Sequence, residues 1–164
     1  MTPSILLEVS RIEVLHLHQM TQQFIEVLET TTDSAGDAAV RRLVPDAYQE
    51  DDAAAREFRR LTERELLDRR LADARTVLDA LSPETPPSPV AAADPSLTEG
   101  VVLHLDGELS AALVRTLSAI RLVLATRLGI DDEDDHDPDD PRFGIYDWLG
   151  YRLNTLVQAI DSED

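Results

Sequence analysis

The sequence predicts a mainly α-helical single domain over residues 1–164, with two short β-strands that form a small sheet. Three observations carry that class. Hydrophobic residues make up 43% of 164, enough for one core, with no cysteine to staple a smaller one. Two short apolar runs, residues 5–9 and 101–105, each precede a good N-cap residue and a long helical pattern, so a strand-helix unit opens each half, offset by 96 residues. Between and after these units, apolar residues recur at three- and four-residue spacing.

The elements follow in order. Ile5-Leu6-Leu7-Glu8-Val9 reads as a strand, and Ser10 with Glu13 fits a capping box for a helix over about 11–30. Val14, Leu17, Phe24, Ile25 and Leu28 fall on one face of that helix, widened by Met20 and Val27. Asp37 caps a short helix that ends before Pro45, because the residue preceding a proline avoids the α region. Asp51 or Asp52 starts another through Phe58. Thr62 with Glu65 makes a second capping box, so a bend is expected near 61–62, followed by a helix over 63–81 with Leu67, Leu71, Ala74, Leu78 and Leu81 inward. Residues 82–99 hold five of the nine prolines and read as a linker or surface loop. Val101-Val102-Leu103-His104-Leu105 is the second strand, in which His104 and Glu8 of the first would meet across a pairing. Asp106 caps a helix over 107–128 with Leu109, Leu113, Leu117, Ile120, Leu124 and Leu128 in a stripe. Residues 131–140, with eight acids, form an acidic loop. Pro141 suits the first turn of a last helix to about 161, with Ile145, Trp148, Leu149, Leu156 and Ile160 inward.

The charge narrows the partners. With 33 acidic and 15 basic residues the formal charge is -18, and every basic residue is arginine. Such a chain is repelled by nucleic-acid phosphate and by anionic membranes unless a local basic patch intervenes. The absence of cysteine excludes a disulfide framework, a thiolate zinc site and a thiol nucleophile, and the absence of lysine excludes a Schiff base. No run approaches the ~18–20 apolar residues of a membrane span, and no signal-peptide pattern opens the chain, so a cytoplasmic location is expected. No Gly-rich phosphate loop or nucleophile elbow occurs, and so acidic a chain gives no pair of carboxylates priority. The expectation is a protein without enzymatic activity or cofactor. The 131–140 run lacks the glycine and the terminal glutamate of a calcium loop, and a solvated loop is the expected reading. His16 and His18, two apart on a helix, cannot share a metal.

The one locally basic stretch runs from Arg56 to Arg75, seven arginines against five acids. Arg56, Arg59, Arg60 and Arg64 recur at three- or four-residue spacing, and one helical face could present guanidiniums to phosphate or to carboxylate. Pairing with neighbouring glutamates on a solvated helix is the alternative, and the 131–140 run is a further candidate partner. Arg152 falls inside the apolar stripe of the last helix and calls for a buried ion pair, with a subunit contact as the alternative. The wide stripes admit a homodimer.

Four stretches carry a resemblance: Arg42-Leu43-Val44-Pro45-Asp46-Ala47-Tyr48, Glu57-Phe58-Arg59-Arg60-Leu61-Thr62, Arg121-Leu122-Val123-Leu124-Ala125-Thr126-Arg127-Leu128-Gly129-Ile130, and Tyr146-Asp147-Trp148-Leu149. Their order and spacing, over most of 38–160, resemble an actinobacterial family of unknown function that includes the AosR-type oxidative-stress transcriptional regulators. The resemblance implies a cytosolic, non-enzymatic regulator acting through protein partners such as RNA polymerase or a sigma factor, with direct DNA binding as a weaker expectation. Neighbourhood to the ClpS adaptor in such genomes implies, as the alternative, a partner in Clp-type proteolysis. A redox-sensing disulfide is attributed to the regulator branch; this chain, without cysteine, has no such switch.

Overall fold

The computed structural model describes residues 4–31, 36–44, 53–86, 89–131 and 136–163, and inside the third segment the side chains of Ala55 and Arg59 lie outside the description. Strand β1 (Ile5–Ser10) runs directly into helix α1 (Arg11–Thr30); α2 (Ala38–Arg42) and α3 (Ala53–Leu81) follow; β2 (Gly100–Leu105) runs into α4 (Gly107–Leu128); α5 (Gly144–Glu163) closes the chain. The mainly helical class with one small sheet is what the structure shows.

The two strands pair antiparallel, with Ile5 opposite Leu105 and Ser10 opposite Gly100. Alternation sends Leu7, Val9, Val101, Leu103 and Leu105 into the core and leaves Leu6 and Val102 exposed on the outer face. His104 faces Leu6 and Glu8 faces Val102, so the expected meeting of Glu8 with His104 is corrected: the two are diagonal neighbours. Each strand ends at a cap. Ser10 and Glu13 complete the capping box, and Asp106 accepts from the Leu109 N–H at 2.8 Å.

The helices pack in sequence through α4. Helix α1 lies on α3, α3 on α4, and α4 on both α2 and α5. This explains why α4 buries small residues on several sides, Ala112, Thr116 and Ala119 among them, as well as Leu113, Leu117 and Ile120. By length and composition α4 is the one described helix apolar enough to cross a membrane, contrary to the expectation that no run comes near. Its packing against the four other helices and β2 accounts for that apolarity as core. Gly129 ends the helix at φ +73°, a conformation that costs other residues about 1–2 kcal/mol. Gly129→Ala should therefore lower the urea midpoint by roughly 1 kcal/mol equivalent at unchanged m-value.

Two further expectations are corrected. Helix α3 is continuous through 61–62: Thr62 Oγ1 donates back to the Phe58 carbonyl at 2.9 Å instead of capping a new start. Ile145 is exposed, and Tyr146 beside it is buried against Ala125 and Ile130. The proposed helix starts Asp51 and Asp52 lie outside the described residues. Residues 82–99 carry two 3-10 turns, 82–84 and 95–98, with Leu97 buried, and Pro141 opens a 3-10 turn ahead of α5.

Candidate functional site

From Leu67 to Leu81, α3 has a half-buried or buried face formed by Leu67, Leu71, Ala74, Val77, Leu78 and Leu81. Its first three turns are different. From Ala53 to Glu65 every described side chain is exposed apart from the half-buried Glu63. At 100° per residue Arg56, Arg60 and Arg64 form one stripe; Leu61 flanks it, about 60° from Arg64, and Phe58 lies on the far side of Leu61. Phe58 is 70% exposed and Leu61 61%.

The predicted arginines sort by position along this helix. Arg60 is 3.8 Å from Glu57, an exposed pair of small energetic weight. Arg69 pairs with Glu65 one turn away, and Arg75 with Glu29 of α1. Arg70 is half-buried and donates to the Leu43 carbonyl at 3.1 Å, joining α3 to the end of α2; burial pushes its pKa down, opposed by Asp73. Arg56 has its own interactions, and the Arg59 side chain lies outside the described residues. Arg64 makes no ion pair among the described residues. Exposed arginines therefore run along the helix, Arg69 and Arg75 included at 72% and 57%; among the described arginines of this stretch only Arg70 is half-buried and ties α3 to α2.

Among the described residues, none of the acids of 131–140 pairs with these arginines. Asp140 holds Arg142 at 2.7 Å, and Asp137 accepts from the Asp139 N–H at 3.0 Å. His136 is anchored: its Nε2 lies 2.6 Å from Asp147 Oδ1, and its ring packs 4.8 Å from Phe143 and 5.5 Å from Tyr146. The described part of the acidic segment is thereby pinned to α5 rather than laid over α3. Residues 132–135 lie outside the described residues. No group of three or more His, Asp or Glu side chains able to hold a metal occurs among the described residues.

Arg152 reaches across the domain to Glu13. Its Nε donates to Glu13 Oε1 at 2.8 Å, its Nη2 bonds the same oxygen, and the Trp148 indole N–H donates there at 3.1 Å. The other oxygen accepts from the Ser10 N–H at 2.8 Å and from the Ser10 hydroxyl at 3.0 Å. Burial alone would raise the Glu13 pKa; the Ser10 N–H, Arg152, Trp148 and Ser10 hydroxyl bonds outweigh it and hold the carboxyl at about 2. Both side chains of the pair are 18% exposed. One carboxylate thus caps α1 and latches α5 to it, and the capping box signalled only the first of these roles.

The family model described as "Domain of unknown function (DUF2017)" matches residues 2–160. The chain belongs to the DUF2017 family. The match spans both strand-helix units, the exposed turns of α3 and the Glu13–Arg152 latch, so within this DUF2017 chain they are parts of one family domain. No curated protein and no solved structure matches it.

Proposed function

We propose that this DUF2017 protein is a non-enzymatic, cytoplasmic regulatory protein that acts through protein partners, and that the first three turns of α3 are the partner-binding element. One observation carries the reading. Residues 53–65 hold a helix that receives little support from the rest of the domain, with two large apolar side chains exposed beside a stripe of arginines. Isolated helices of this length are marginal in water, and exposed aromatic and leucine side chains flanked by charge suit a helix that docks into a groove. The partner's chemistry follows: an apolar groove with an acidic rim.

The finer reading is a transcriptional regulator of the AosR type, working through RNA polymerase or a sigma factor; it is supported by the four stretches quoted above, one of which, Glu57–Thr62, lies within this helix. Without cysteine, control would come from partner availability and not from a disulfide. Capture of partners from native lysate tests the proposal: polymerase or sigma subunits favour transcription, Clp components favour an adaptor role. Direct DNA binding is a separate outcome. It requires affinity that falls with salt and weakens in Arg59→Ala/Arg60→Ala, and an unchanged affinity in that variant would remove DNA from the account.

A further inference from the structure

The two strands present different edges. The Arg11 N–H donates to the Glu99 carbonyl at 2.9 Å, one step beyond the Ser10–Gly100 pair. Hydrogen-bonded pairs alternate in an antiparallel ladder, so Val9–Val101, Leu7–Leu103 and Ile5–Leu105 exchange the bonds between the strands. The backbone N–H and C=O groups of Leu6, Glu8 and Ser10 then point out of β1, and those of Gly100, Val102 and His104 point out of β2. The Ser10 N–H agrees, since it turns outward to Glu13 Oε2 at 2.8 Å. Natural sheets guard such edges with charge, proline, a bulge or a covering element. Strand β1 has Glu8 at its edge and packs beside α5. Strand β2 contains no Asp, Glu, Lys, Arg or proline, and its register is unbroken. Among the described residues nothing bonds to the outward backbone groups of Val102 and His104.

A groove of about 160 Å³ runs along that edge. Val102, Leu103, His104 and Leu105 all line it. Successive residues point to opposite faces of a strand, so a space touched by four in a row lies at the strand's side. The rest of the lining comes from the end of α3 and the turn after it, with Val77, Leu81 and Glu84, and from Leu109 and Leu113 of α4. A free strand edge beside a helix suits an extended peptide that adds to the sheet, with main-chain bonds giving affinity and alternate side chains giving specificity. A residue laid opposite Leu103 shares its face, which is the apolar one. Glu84 is the one acid in the lining and makes no ion pair among the described residues. We propose that this groove binds an extended peptide segment of another protein, added antiparallel to β2 through Val102 and His104, with an aliphatic side chain opposite Leu103 and a basic side chain at Glu84. A lone strand is preferred to a second copy, because pairing through β2 would set each copy's α3 against the other's sheet. The groove is separate from the first turns of α3 and does not depend on their partner-binding reading.

The probe is a blocked peptide that alternates threonine and valine, with arginine at each end, titrated into the full chain. Saturable binding is expected, with a Kd of about 1 mM or tighter, together with new protection of the Val102 and His104 amides against hydrogen exchange. Methylating the threonine amides, which would face β2, should weaken binding at least tenfold, and methylating the valine amides, which would face away, should not. Val102→Pro removes an outward N–H and leaves the bonds to β1 in place, as edge strands allow, and should also weaken binding at least tenfold. Glu84→Gln should weaken it about threefold. Absence of saturation, or equal affinity for the two methylated peptides, would overturn the proposal, and this comparison needs only the wild-type chain should Val102→Pro fail to fold. Protection of the Val102 and His104 amides in the free protein would overturn it too, since the edge would then be covered already by this chain or by a second copy.

Discussion

Glu13→Gln should destabilise the protein by about 2–3 kcal/mol, a drop in Tm of roughly 5–10 °C for a domain of this size. The substitution keeps the shape and removes the charge that Arg152, Trp148 and Ser10 all address. It leaves the Arg152 guanidinium largely buried with no anion, and it turns a side-chain donor towards groups that are themselves donors. Fully buried pairs lose about 3–5 kcal/mol when one partner is removed, and the remaining exposure of this pair places it lower. Arg152→Leu in the Glu13→Gln background should recover part of the loss, since no unpaired cation is then left. A double-mutant cycle by urea denaturation measures the coupling. The pH dependence has a defined sign. The Glu13 pKa is depressed in the folded state from 4.5 to about 2, so its contribution is fully present above pH 4.5 and is lost as pH falls towards 2. The stability gap between wild type and Glu13→Gln should close across that window. A gap independent of pH would show that the carboxylate charge is not what holds α5 to α1.

Phe58→Asp/Leu61→Asp should abolish partner capture, at least a hundredfold in affinity, with stability within about 0.5 kcal/mol of wild type. The two side chains contribute almost nothing to the core, being 70% and 61% exposed. They are the only large apolar groups exposed on the first turns of α3 among the described residues. Placing carboxylates there also sets like charge against an acidic groove, which adds repulsion to the lost burial. Loss of stability equal to that of a core mutation would mean that these side chains are packed within the protein in solution, and capture would then have to be sought elsewhere.

The parts of the fold that were legible in the sequence are those written in local spacing. Ser10–Glu13 and Asp106 fix two helix starts within a few residues, and the stripes of α1 and α4 point to buried side chains because both helices keep a 3.6-residue period. Thr62 misled for a local reason as well: a threonine can cap a helix or bond back to the carbonyl four residues earlier, and only the surrounding backbone decides which. Tyr146 and Ile145 are adjacent, and which one is buried depends on His136, Phe143 and Arg121 arriving from elsewhere. The same limit hid the partner of Arg152. Its position in an apolar stripe demanded an anion, but Glu13 lies 139 residues away and was already explained as a cap. The arginines of α3 were legible as a group. That their helix stands clear of the domain up to Glu65, and packs only beyond it, is a tertiary fact that spacing does not contain. The seat of Arg121 over the Tyr146 ring is tertiary in the same sense, since it depends on Gly150, where a methyl group would lie 2.8 Å from the guanidinium.

Hydrogen exchange of the full chain, alone and with the partner recovered from lysate, tests the central claim most directly. In the free protein the amides of 53–65 should exchange much faster than those of 67–81, because the first turns lack packing against the core. With partner bound, strong protection should appear over 53–65, with little change in the sheet or α5. Protection elsewhere, with 53–65 exchanging as fast as before, would contradict the assignment of these turns as the partner-binding element.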